Sequence, residues 1–322
     1  MTALLTPATR VDPAFRADVL AGFAMPRRAI PARWLYDRAG SELFERITAL
    51  PEYYPTRTET ALLAAHCDEV GAIAGPGRAV IEFGSGSSTK TPHLLTAIAP
   101  AAYMPIDISG EFLRASAAAL AEDFPKLRIE PVEADFTRPI APPAGIADLP
   151  KLGFFPGSTI GNMVPRTAVN LLRAMVETLG IGSLLLIGMD RRKSPDILIP
   201  AYDDAEGVTA QFNLNLLRRI NRELDGDIAV DAFRHRAIWN DGMARIEMHL
   251  EAIRDVTFTI CGQLFTMRAG DTIHTENSHK YGPREAHLLL HAGAWTPIRE
   301  WTDRDGMFAL ILAEAQPPGR AP

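Results

Sequence analysis

Two glycines at two-residue spacing follow an apolar run and an acid in the segment Glu82-Phe-Gly-Ser-Gly-Ser-Ser. Gly84 and Gly86 carry no Cβ, so a ligand can approach the backbone closely at both positions. A phosphate-binding loop needs a lysine directly after its last glycine, but Lys90 comes four residues after Gly86. A dinucleotide-binding turn needs a third glycine, but Thr89 occupies that position. The short turn therefore favours a cofactor without a pyrophosphate.

Two acids at the ends of the next predicted strands extend this candidate site. Asp107 follows Gly84 by 23 residues, where doubly wound folds place a carboxylate on ribose hydroxyls. Asp135 stands beside Phe136, and the pair offers an acceptor for an exocyclic amine next to an apolar face for a purine. Together with the glycine turn, these acids predict S-adenosyl-L-methionine binding and hence a methyltransferase. The plain alternative is that Glu82 caps backbone amides and that both aspartates only form turns.

Short apolar runs that alternate with helical patterns would position these residues. Strands are predicted over AVIEFG, AYMPIDIS, RIEPVEADF, LGFFPGSTIGN and SLLLIGMD, with helices between them. This alternation is typical of a mostly parallel α/β sheet with right-handed connections. Near the end of the chain, two strands around a turn at 303–306 predict a hairpin that returns to the sheet. The fold class predicted is a Rossmann-like class I methyltransferase sheet with a closing β-hairpin.

The alternation stops after the fifth strand, and a long amphipathic helix then precedes a β-rich region. We predict a methyltransferase domain over 58–193 and 283–322. A second, α+β substrate-binding domain is predicted from 1–57 and the late insertion 194–282.

Two local predictions concern segments outside the sheet. A helix is predicted over 41–50 with Ser41 as its N-cap, because Phe44 and Ile47 then share one face. The HTENS segment, 274–278, is predicted to be a loop.

The composition excludes several functional classes. The 322-residue chain has a formal net charge of −6 and no run of lysine or arginine, which argues against a nucleic-acid surface. Its two cysteines, Cys67 and Cys261, are too few for a disulfide scaffold or a cysteine-rich zinc site. No apolar segment approaches the roughly 20 residues that span a bilayer, and the N-terminal segment lacks a signal-peptide pattern. We expect a cytoplasmic monomer without nucleic-acid or membrane partners.

Long, distinctive segments of the chain resemble one enzyme family. They are WLYDRAGSELFERITALPEYYPTRTE, EFGSGSSTKT, PIDIS, FFPGSTIGN, AYDDAEGVTAQFN and HTENS. In these segments the chain is similar to the L-histidine Nα-methyltransferases of ergothioneine biosynthesis, which make hercynine. The resemblance implies S-adenosyl-L-methionine as the cofactor, a Rossmann-like domain with a separate substrate domain, and transfer of up to three methyl groups to the α-amino nitrogen of histidine.

The resemblance also implies a set of binding residues. The matching cofactor positions are Gly84, Lys90, Asp107, Asp135 and Phe136, and the matching substrate positions are Tyr53, Asn162, Tyr202, Met248, Glu276 and Ser278. Tyr36 resembles the tyrosine near the methylated amine, so it is assigned to catalysis together with Asn162. Met248 resembles an apolar residue near the imidazole.

The chemistry of these side chains suits the roles that the resemblance implies. The amide oxygen of Asn162 can accept from the amine and orient its lone pair. Tyr53 and Tyr202 can donate to the substrate carboxylate without placing a further cation beside the sulfonium. Glu276 can accept from an imidazole N–H, and Ser278 can serve the other ring nitrogen.

Other readings stay open on the residues alone. The same scaffold could act on another amino acid such as tryptophan, and a nicotinamide-dependent reductase or a non-catalytic nucleotide-binding protein are further alternatives. His274, Glu276 and His279 invite a metal reading, but their spacing is not HExxH and no further ligand stands out, so no metal is predicted. Plain alternatives for Asn162 and Met248 are a turn and core packing.

Overall fold

The computed structural model describes residues 12–86 and 88–317. Helices occupy the segments between the predicted strands as well as the N-terminal part. They are α1 (Pro13–Ala24), α2 (Arg38–Thr48), α3 (Tyr54–Ala74), α4 (Thr91–Ile98), α5 (Gly110–Asp123), α6 (Pro165–Leu179), α7 (Pro195–Leu198), α8 (Val208–Glu223) and α9 (Pro283–Ala292).

The strands fall into an early group, a group in the late insertion and a final pair. They are β1 (Arg28–Ala29), β2 (Ala79–Phe83), β3 (Ala102–Asp107), β4 (Arg128–Ile129), β5 (Val132–Glu133), β6 (Lys151–Phe155), β7 (Leu184–Asp190), β8 (Phe233–Asn240), β9 (Arg245–Ala252), β10 (Val256–Ile260), β11 (Gln263–Met267), β12 (Thr272–His279), β13 (Trp295–Thr302) and β14 (Phe308–Ala315).

Among the described residues, eight strands form one sheet. Its order is β13–β14–β7–β6–β2–β3–β4, and β5 also pairs with β3. Strands β2 to β7 pair in parallel, whereas β14 runs antiparallel to both β7 and β13. The predicted α/β sheet and its closing hairpin are confirmed.

The third predicted strand is interrupted. The segment RIEPVEADF forms β4 and β5, which each pair with β3 over two residues, and Pro131 lies between them. Proline has no backbone N–H to donate to a neighbouring strand. The expectation of one continuous strand was therefore wrong, although both pieces extend the predicted sheet.

The sheet is buried on both faces, as parallel sheets are. Along β2, Ile81 and Phe83 belong to one buried apolar cluster, while Val80 belongs to another. Along β6, Phe155 and Phe154 divide between the same two clusters. Successive side chains of a strand point to opposite faces of the sheet. One apolar run therefore contributes to the apolar cluster on each face.

The chain divides into two compact units. One, called the sheet unit, comprises Thr48–Ala201, Trp239–Ile246 and Asn277–Pro322; the other, called the insert unit, comprises Met1–Ile47, Tyr202–Ile238 and Glu247–Glu276. Compared with the predicted methyltransferase domain, the sheet unit starts earlier in the chain, ends its first segment later and takes in a short piece of the insertion. The predicted domain limits stay a prediction.

The insert unit contains most of a four-stranded sheet in the order β1–β12–β9–β8, and the hairpin of β10 and β11. Arg28 and Ala29 pair in parallel with Ile273 and His274. The HTENS segment therefore lies on strand β12, and the prediction of a loop there was wrong. The strand forms because its backbone groups find partners in remote parts of the chain, which local residue types do not reveal.

Helix α2 begins at Arg38, three residues before the predicted N-cap Ser41. The Asp37 carboxylate accepts from the backbone N–H of Gly40 at 2.8 Å, as a capping acid does. A Cβ at Gly40 would lie 1.8 Å from the carbonyl oxygen of Leu35, so the first turn packs directly on the preceding chain. The prediction of Ser41 as the cap was wrong, because Asp37 performs that role.

The two thiols differ in environment. Cys67 is buried in α3, and this burial, reinforced by the charge of Asp68, raises the pKa of its thiol to about 12. Cys261 is half-buried, and its Sγ contacts the carbonyl oxygen of Leu224 at 3.3 Å. Both are free thiols, and Cys67 acts as a small packing residue.

Candidate active site

The glycine turn and the first strand-end acid meet at one edge of the sheet. The backbone N–H groups of Gly84 and Ser85 both donate to the carbonyl oxygen of Ile106, at 2.9 and 3.1 Å. The Asp107 carboxylate accepts from the N–H of Gly86 at 3.2 Å and from that of Ser109 at 2.9 Å. The turn after β2 and the acid ending β3 are thus fixed together at the carboxyl edge, where open α/β sheets bind their ligands.

Phe136 lies beside this turn and shapes it. A Cβ at Gly84, whose φ is +72°, would lie 3.3 Å from the Phe136 ring. That ring packs edge-on against Phe83 and Phe155, with centroids 6.4 and 5.9 Å apart. A side chain at Gly84 would fill the space next to the aromatic face, so the residues present fit the adenosyl end of S-adenosyl-L-methionine.

Asp135 forms the turn that the plain alternative describes. One of its carboxylate oxygens, Oδ1, accepts from the backbone N–H of Thr137 at 3.0 Å and from the Thr137 hydroxyl at 2.6 Å. These bonds hold the carboxylate at the exit of β5, next to Phe136. Its contact with an adenine amine stays a prediction.

Glu82 has a structural role that differs from the plain alternative of capping backbone amides. The carboxylate is fully buried and accepts from the hydroxyls of Tyr103 at 2.6 Å and Thr91 at 2.7 Å. Burial raises the pKa of Glu82 to about 7, against the lowering effect of these hydroxyl bonds. Both hydroxyls donate to the same oxygen, Oε2, which joins β2 just before the glycine turn to β3 and α4.

Lys90 is held by an acid that the sequence patterns did not single out. Its Nζ lies 2.5 Å from Glu59 of α3, and the same carboxylate accepts from the N–H of Gly157 at 2.8 and 3.0 Å. Glu59 is fully buried, and a Cβ at Gly188 would lie only 2.0 Å from one of its oxygens. The available signal was an acid three residues before Leu62, on the buried face of α3.

Asn162 is carried by a tightly packed turn. Residues Thr159–Asn162 form a short 3₁₀ helix, and the preceding Ser158, at φ +55°, accepts from the N–H of Asp190 at 2.9 Å through its hydroxyl. A Cβ at Gly161 would lie 2.9 Å from the carbonyl oxygen of His279, at the end of β12. The half-buried Asn162 is thus positioned by Ser158, by Gly161 and by the end of strand β12.

A buried charge cluster surrounds Asp190, the last residue of β7. The carboxylate accepts from Tyr54 Oη at 2.7 Å and pairs with the ammonium groups of Lys193 at 2.6 Å and Lys280 at 2.7 Å. Burial acts to raise the pKa of Asp190, but the two ammonium groups outweigh it and hold that pKa below its ordinary value. Lys280 Nζ also donates to Ser278 Oγ at 2.8 Å.

No sequence motif pointed to this cluster, although Asp190 is an acid at a strand end like Asp107 and Asp135. Lys280 follows Ser278 by two residues, so strand periodicity was the signal available for it. Tyr53, predicted to bind the substrate carboxylate, directly precedes α3 in the same unit and is 8% exposed.

Tyr36 and Glu276 come together in the insert unit. The Tyr36 hydroxyl donates to Glu276 Oε1 at 3.3 Å, and the Tyr36 ring packs edge-on against Phe44 and Phe212. The structure therefore places Tyr36 beside the predicted imidazole acceptor. Its predicted proximity to the amine stays a prediction.

Tyr202 and Met248 are both largely buried in the insert unit. The carbonyl oxygen of Tyr202 lies 2.7 Å from His235 Nε2, and that of Met248 accepts from Thr275 Oγ1 at 3.1 Å. Met248 is 1% exposed, which agrees with core packing as the plain reading of its pattern. Their predicted contacts with substrate stay predictions.

A cluster of possible metal ligands differs from the one considered in the sequence. Glu247, His249 and His274 place ligand atoms within 4.8 Å of one another. The His249 and His274 rings are stacked, with centroids 4.7 Å apart and planes at 19°. Lone pairs of stacked imidazoles lie in nearly parallel planes and do not converge on one ion, and His249 Nε2 already contacts Glu247 at 3.1 Å. The cluster fits a hydrogen-bonded pair better than a metal centre.

The sheet order, the antiparallel closing hairpin and the glycine turn at the carboxyl edge define a class I S-adenosyl-L-methionine-dependent methyltransferase. Residues 15–315 match the family of histidine-specific, SAM-dependent methyltransferases, and the chain belongs to that family. It is therefore an enzyme that uses S-adenosyl-L-methionine and takes an amino acid as its substrate.

Several named proteins are similar to the chain over most of its length. The histidine N-alpha-methyltransferases of Mycolicibacterium smegmatis and Mycobacterium tuberculosis are 39% and 40% identical over 310 residues, covering 93% of this chain and 94% of each relative. Ergothioneine biosynthesis protein 1 of Neurospora crassa is 30% identical over 300 residues, covering 90% of this chain and 33% of that protein. Within the described residues, no helix has the length and apolar character needed to cross a bilayer.

Proposed function

We propose that this enzyme transfers methyl groups to the α-amino nitrogen of L-histidine, up to three in succession, and so makes hercynine for ergothioneine biosynthesis. The observation that carries the proposal is the match of residues 15–315 to the histidine-specific family. The names of the two mycobacterial relatives and of the fungal relative support the same substrate and pathway.

When bound, S-adenosyl-L-methionine would supply an electrophilic methyl group: the bond from sulfur to the methyl carbon breaks as the N–C bond forms, and S-adenosylhomocysteine is the leaving group. The chain must hold an uncharged amine nitrogen in line with that bond, and such alignment contributes about 7–11 kcal/mol to lowering a barrier. Asn162 is proposed to accept from the amine N–H and so aim the nitrogen lone pair. The proton that the amine loses passes to solvent.

The cofactor is proposed to lie at the carboxyl edge of β2, β3 and β5. Asp107 would accept from the ribose hydroxyls, Asp135 from the adenine amine, and Phe136 would cover one face of the purine. Lys90 is proposed to bind the cofactor as a cation whose position is set by Glu59. This arrangement is supported by the hydrogen bonds that fix Asp107 to the glycine turn.

The proposed substrate residues divide by the part of histidine that they recognise. Tyr53 and Tyr202 would donate to the carboxylate, and Met248 would contact the apolar part of the ring. Glu276 would accept from one imidazole N–H, and its contact with Tyr36 supports an orientation fixed before binding. Tyr36 itself is proposed to assist near the amine, directly or through water.

Side-by-side turnover of three amino acids tests the substrate. The purified enzyme is incubated with labelled S-adenosyl-L-methionine and with L-histidine, L-tryptophan or L-tyrosine, and the products are identified by mass spectrometry. We expect products of one, two and three methyl additions on the α-nitrogen of histidine. Equal rates with all three amino acids would remove the histidine assignment.

A thermal-shift comparison tests the cofactor separately. S-adenosylhomocysteine should raise the melting temperature, because a ligand that binds only the folded state stabilises it, whereas NAD should not. A shift with NAD alone would contradict the proposed adenosyl site.

A further inference from the structure

Lys280 is a buried lysine that contacts a proposed substrate residue, Ser278. It is 2% exposed, and its Nζ lies 2.8 Å from Ser278 Oγ and 2.7 Å from Asp190 Oδ2. An ammonium group has three N–H donors and no lone pair. In the Lys280–Ser278 bond, the serine oxygen must therefore be the acceptor.

This direction has a consequence for the Ser278 hydroxyl. A hydroxyl oxygen that accepts from a cation becomes a stronger donor through its own hydrogen, because hydrogen bonds in a chain polarise one another. The same polarisation weakens its remaining lone pair as an acceptor. Ser278 is thereby prepared to donate to a ligand rather than to accept from one.

We propose that Lys280 is a positioning residue that fixes Ser278 as a hydrogen-bond donor, so that the imidazole nitrogen facing Ser278 is bound without a proton. The inference rests on the proposed histidine-binding role of Ser278 and Glu276. With Glu276 accepting the N–H of the other nitrogen, the two residues select one neutral tautomer of the substrate ring.

The direction of this bond also bears on specificity. An indole has one ring N–H and no ring acceptor. Tryptophan could satisfy Glu276, but its ring offers no acceptor to the Ser278 hydroxyl, so it forms one hydrogen bond fewer than imidazole does. Imidazole offers both a donor and an acceptor, so Lys280 and Ser278 together supply the discrimination that Glu276 alone does not.

Protein groups hold Lys280 in place through both its side chain and its backbone. Asp190 is fully buried, and its carboxylate also binds Tyr54 and Lys193. The backbone N–H of Lys280 donates to the carbonyl oxygen of Ala244 at 2.8 Å, and that of Tyr281 donates to the carbonyl oxygen of Asp190 at 2.9 Å. Both the charge and the backbone around Lys280 are therefore fixed.

Nitrogen NMR of the unmodified enzyme tests the inference directly. Histidine labelled with ¹⁵N in the ring is bound in the presence of S-adenosylhomocysteine, and the ring is followed from pH 8 to pH 5.5. We expect one protonated and one unprotonated ring nitrogen at pH 5.5, below the ordinary imidazole pKa of about 6.5. A bound ring with both nitrogens protonated at that pH would overturn the inference. Failure of the wild-type enzyme to bind histidine would instead overturn the proposed function.

A double-mutant cycle tests whether Lys280 acts through Ser278. Calorimetry measures histidine affinity, with S-adenosylhomocysteine present, for Lys280→Met, Ser278→Ala and the double variant. We expect Lys280→Met to weaken binding by about 10-fold when Ser278 is present and by less than about 3-fold when it is alanine. An equal loss of histidine affinity with serine and with alanine at position 278 would show that Lys280 supports the fold and does not act through Ser278.

Lys193→Met is the matched control for this cycle. It also removes one ammonium from Asp190, but Lys193 contacts Tyr54 and the Arg191 carbonyl instead of Ser278. Its effect on histidine affinity should combine additively with Ser278→Ala. If Lys280→Met does not fold, the ring protonation measured in the wild-type enzyme decides the question.

Discussion

Two buried carboxylates in the sheet unit differ in the charge of their partners. Glu82 on β2 is bound by the neutral hydroxyls of Tyr103 and Thr91, whereas Asp190 at the end of β7 is bound by the ammonium groups of Lys193 and Lys280 and by a tyrosine. Burial raises the pKa of Glu82 to about 7, and the lysines hold the pKa of Asp190 below its ordinary value.

The comparison shows that burial alone does not decide the ionisation of an acid in this sheet. Removal from water disfavours a carboxylate at both positions, and only nearby cations reverse the balance. Glu82, just before the glycine turn, titrates close to neutral pH, while Asp190, which pairs with the lysine that donates to Ser278, stays ionised. Burial lowers the pKa of Lys193 to about 8, so the charge of that lysine, unlike that of Asp190, is lost above neutral pH. The Asp190 anion beside Lys280 suits a role in fixing the direction of a hydrogen bond.

The largest expected effect is the loss of the charge at Asp190. Asp190→Asn leaves two buried ammonium groups without their anion, and breaking a buried ion pair in this way costs about 3–5 kcal/mol. Guanidinium denaturation should show this loss in the free energy of unfolding. Asp196→Asn, an exposed acid in α7, is the control and should change that free energy by less than about 0.5 kcal/mol. Equal effects of both substitutions would contradict the pairing described for Asp190.

Glu82→Gln should give the next largest effect, as a dependence on pH. Because the folded pKa of Glu82 is raised to about 7 from 4.5, its contribution to stability is present below pH 4.5 and is lost as pH rises through 7. Between pH 5 and 8 the wild type should lose about 2–3 kcal/mol relative to Glu82→Gln. Denaturation curves of both proteins at the two pH values measure this difference. A constant difference between them would show that Glu82 is ionised throughout.

Glu59 has one charged and one neutral partner, because its carboxylate binds the Lys90 ammonium and the Gly157 amide. Glu59→Gln should destabilise the fold by about 1–3 kcal/mol and weaken S-adenosylhomocysteine binding, since Lys90 loses the acid that positions it. Glu69→Gln is the control on the same helix, where the acid pairs with Arg299 at the surface. Calorimetric titration of both variants should show weaker binding only for Glu59→Gln.

Asp107 should give the smallest effect on stability. Its carboxylate is half-exposed and accepts from backbone amides, so Asp107→Asn should lower the free energy of unfolding by about 1 kcal/mol or less. S-adenosylhomocysteine binding should fall clearly if this acid holds the ribose. Undiminished binding by calorimetry would remove Asp107 from the proposed cofactor site.

The sequence predicted the sheet well because its pattern is local. Apolar runs such as the one at β2 are short and bounded by glycine or acid, and the closing hairpin carries its own turn. One error arose where distant partners decide the outcome, because strand β12 pairs with β1 from an early part of the chain. The other has a local cause, because Pro131 has no backbone N–H and interrupts the strand pattern of RIEPVEADF.

Only part of the candidate active site was predictable from the sequence. The glycine turn and Asp107 follow from spacing along the chain, and the structure places them in contact. Glu59 and Asp190 were missed because their partners are far away in sequence, as the 98 residues between Glu59 and Gly157 and the 136 between Tyr54 and Asp190 illustrate. Spacing rules describe neighbours on one element, and these contacts join separate elements.

The unequal burial of the two thiols gives the chain a built-in site for a reporter. At pH 8 the Cys67 thiol, with its pKa near 12, carries almost no thiolate, so a maleimide dye has little to react with there. The half-buried Cys261 is the only other cysteine in the chain. The unmodified enzyme should therefore take up one dye, at Cys261 on the insert unit, without any engineered cysteine.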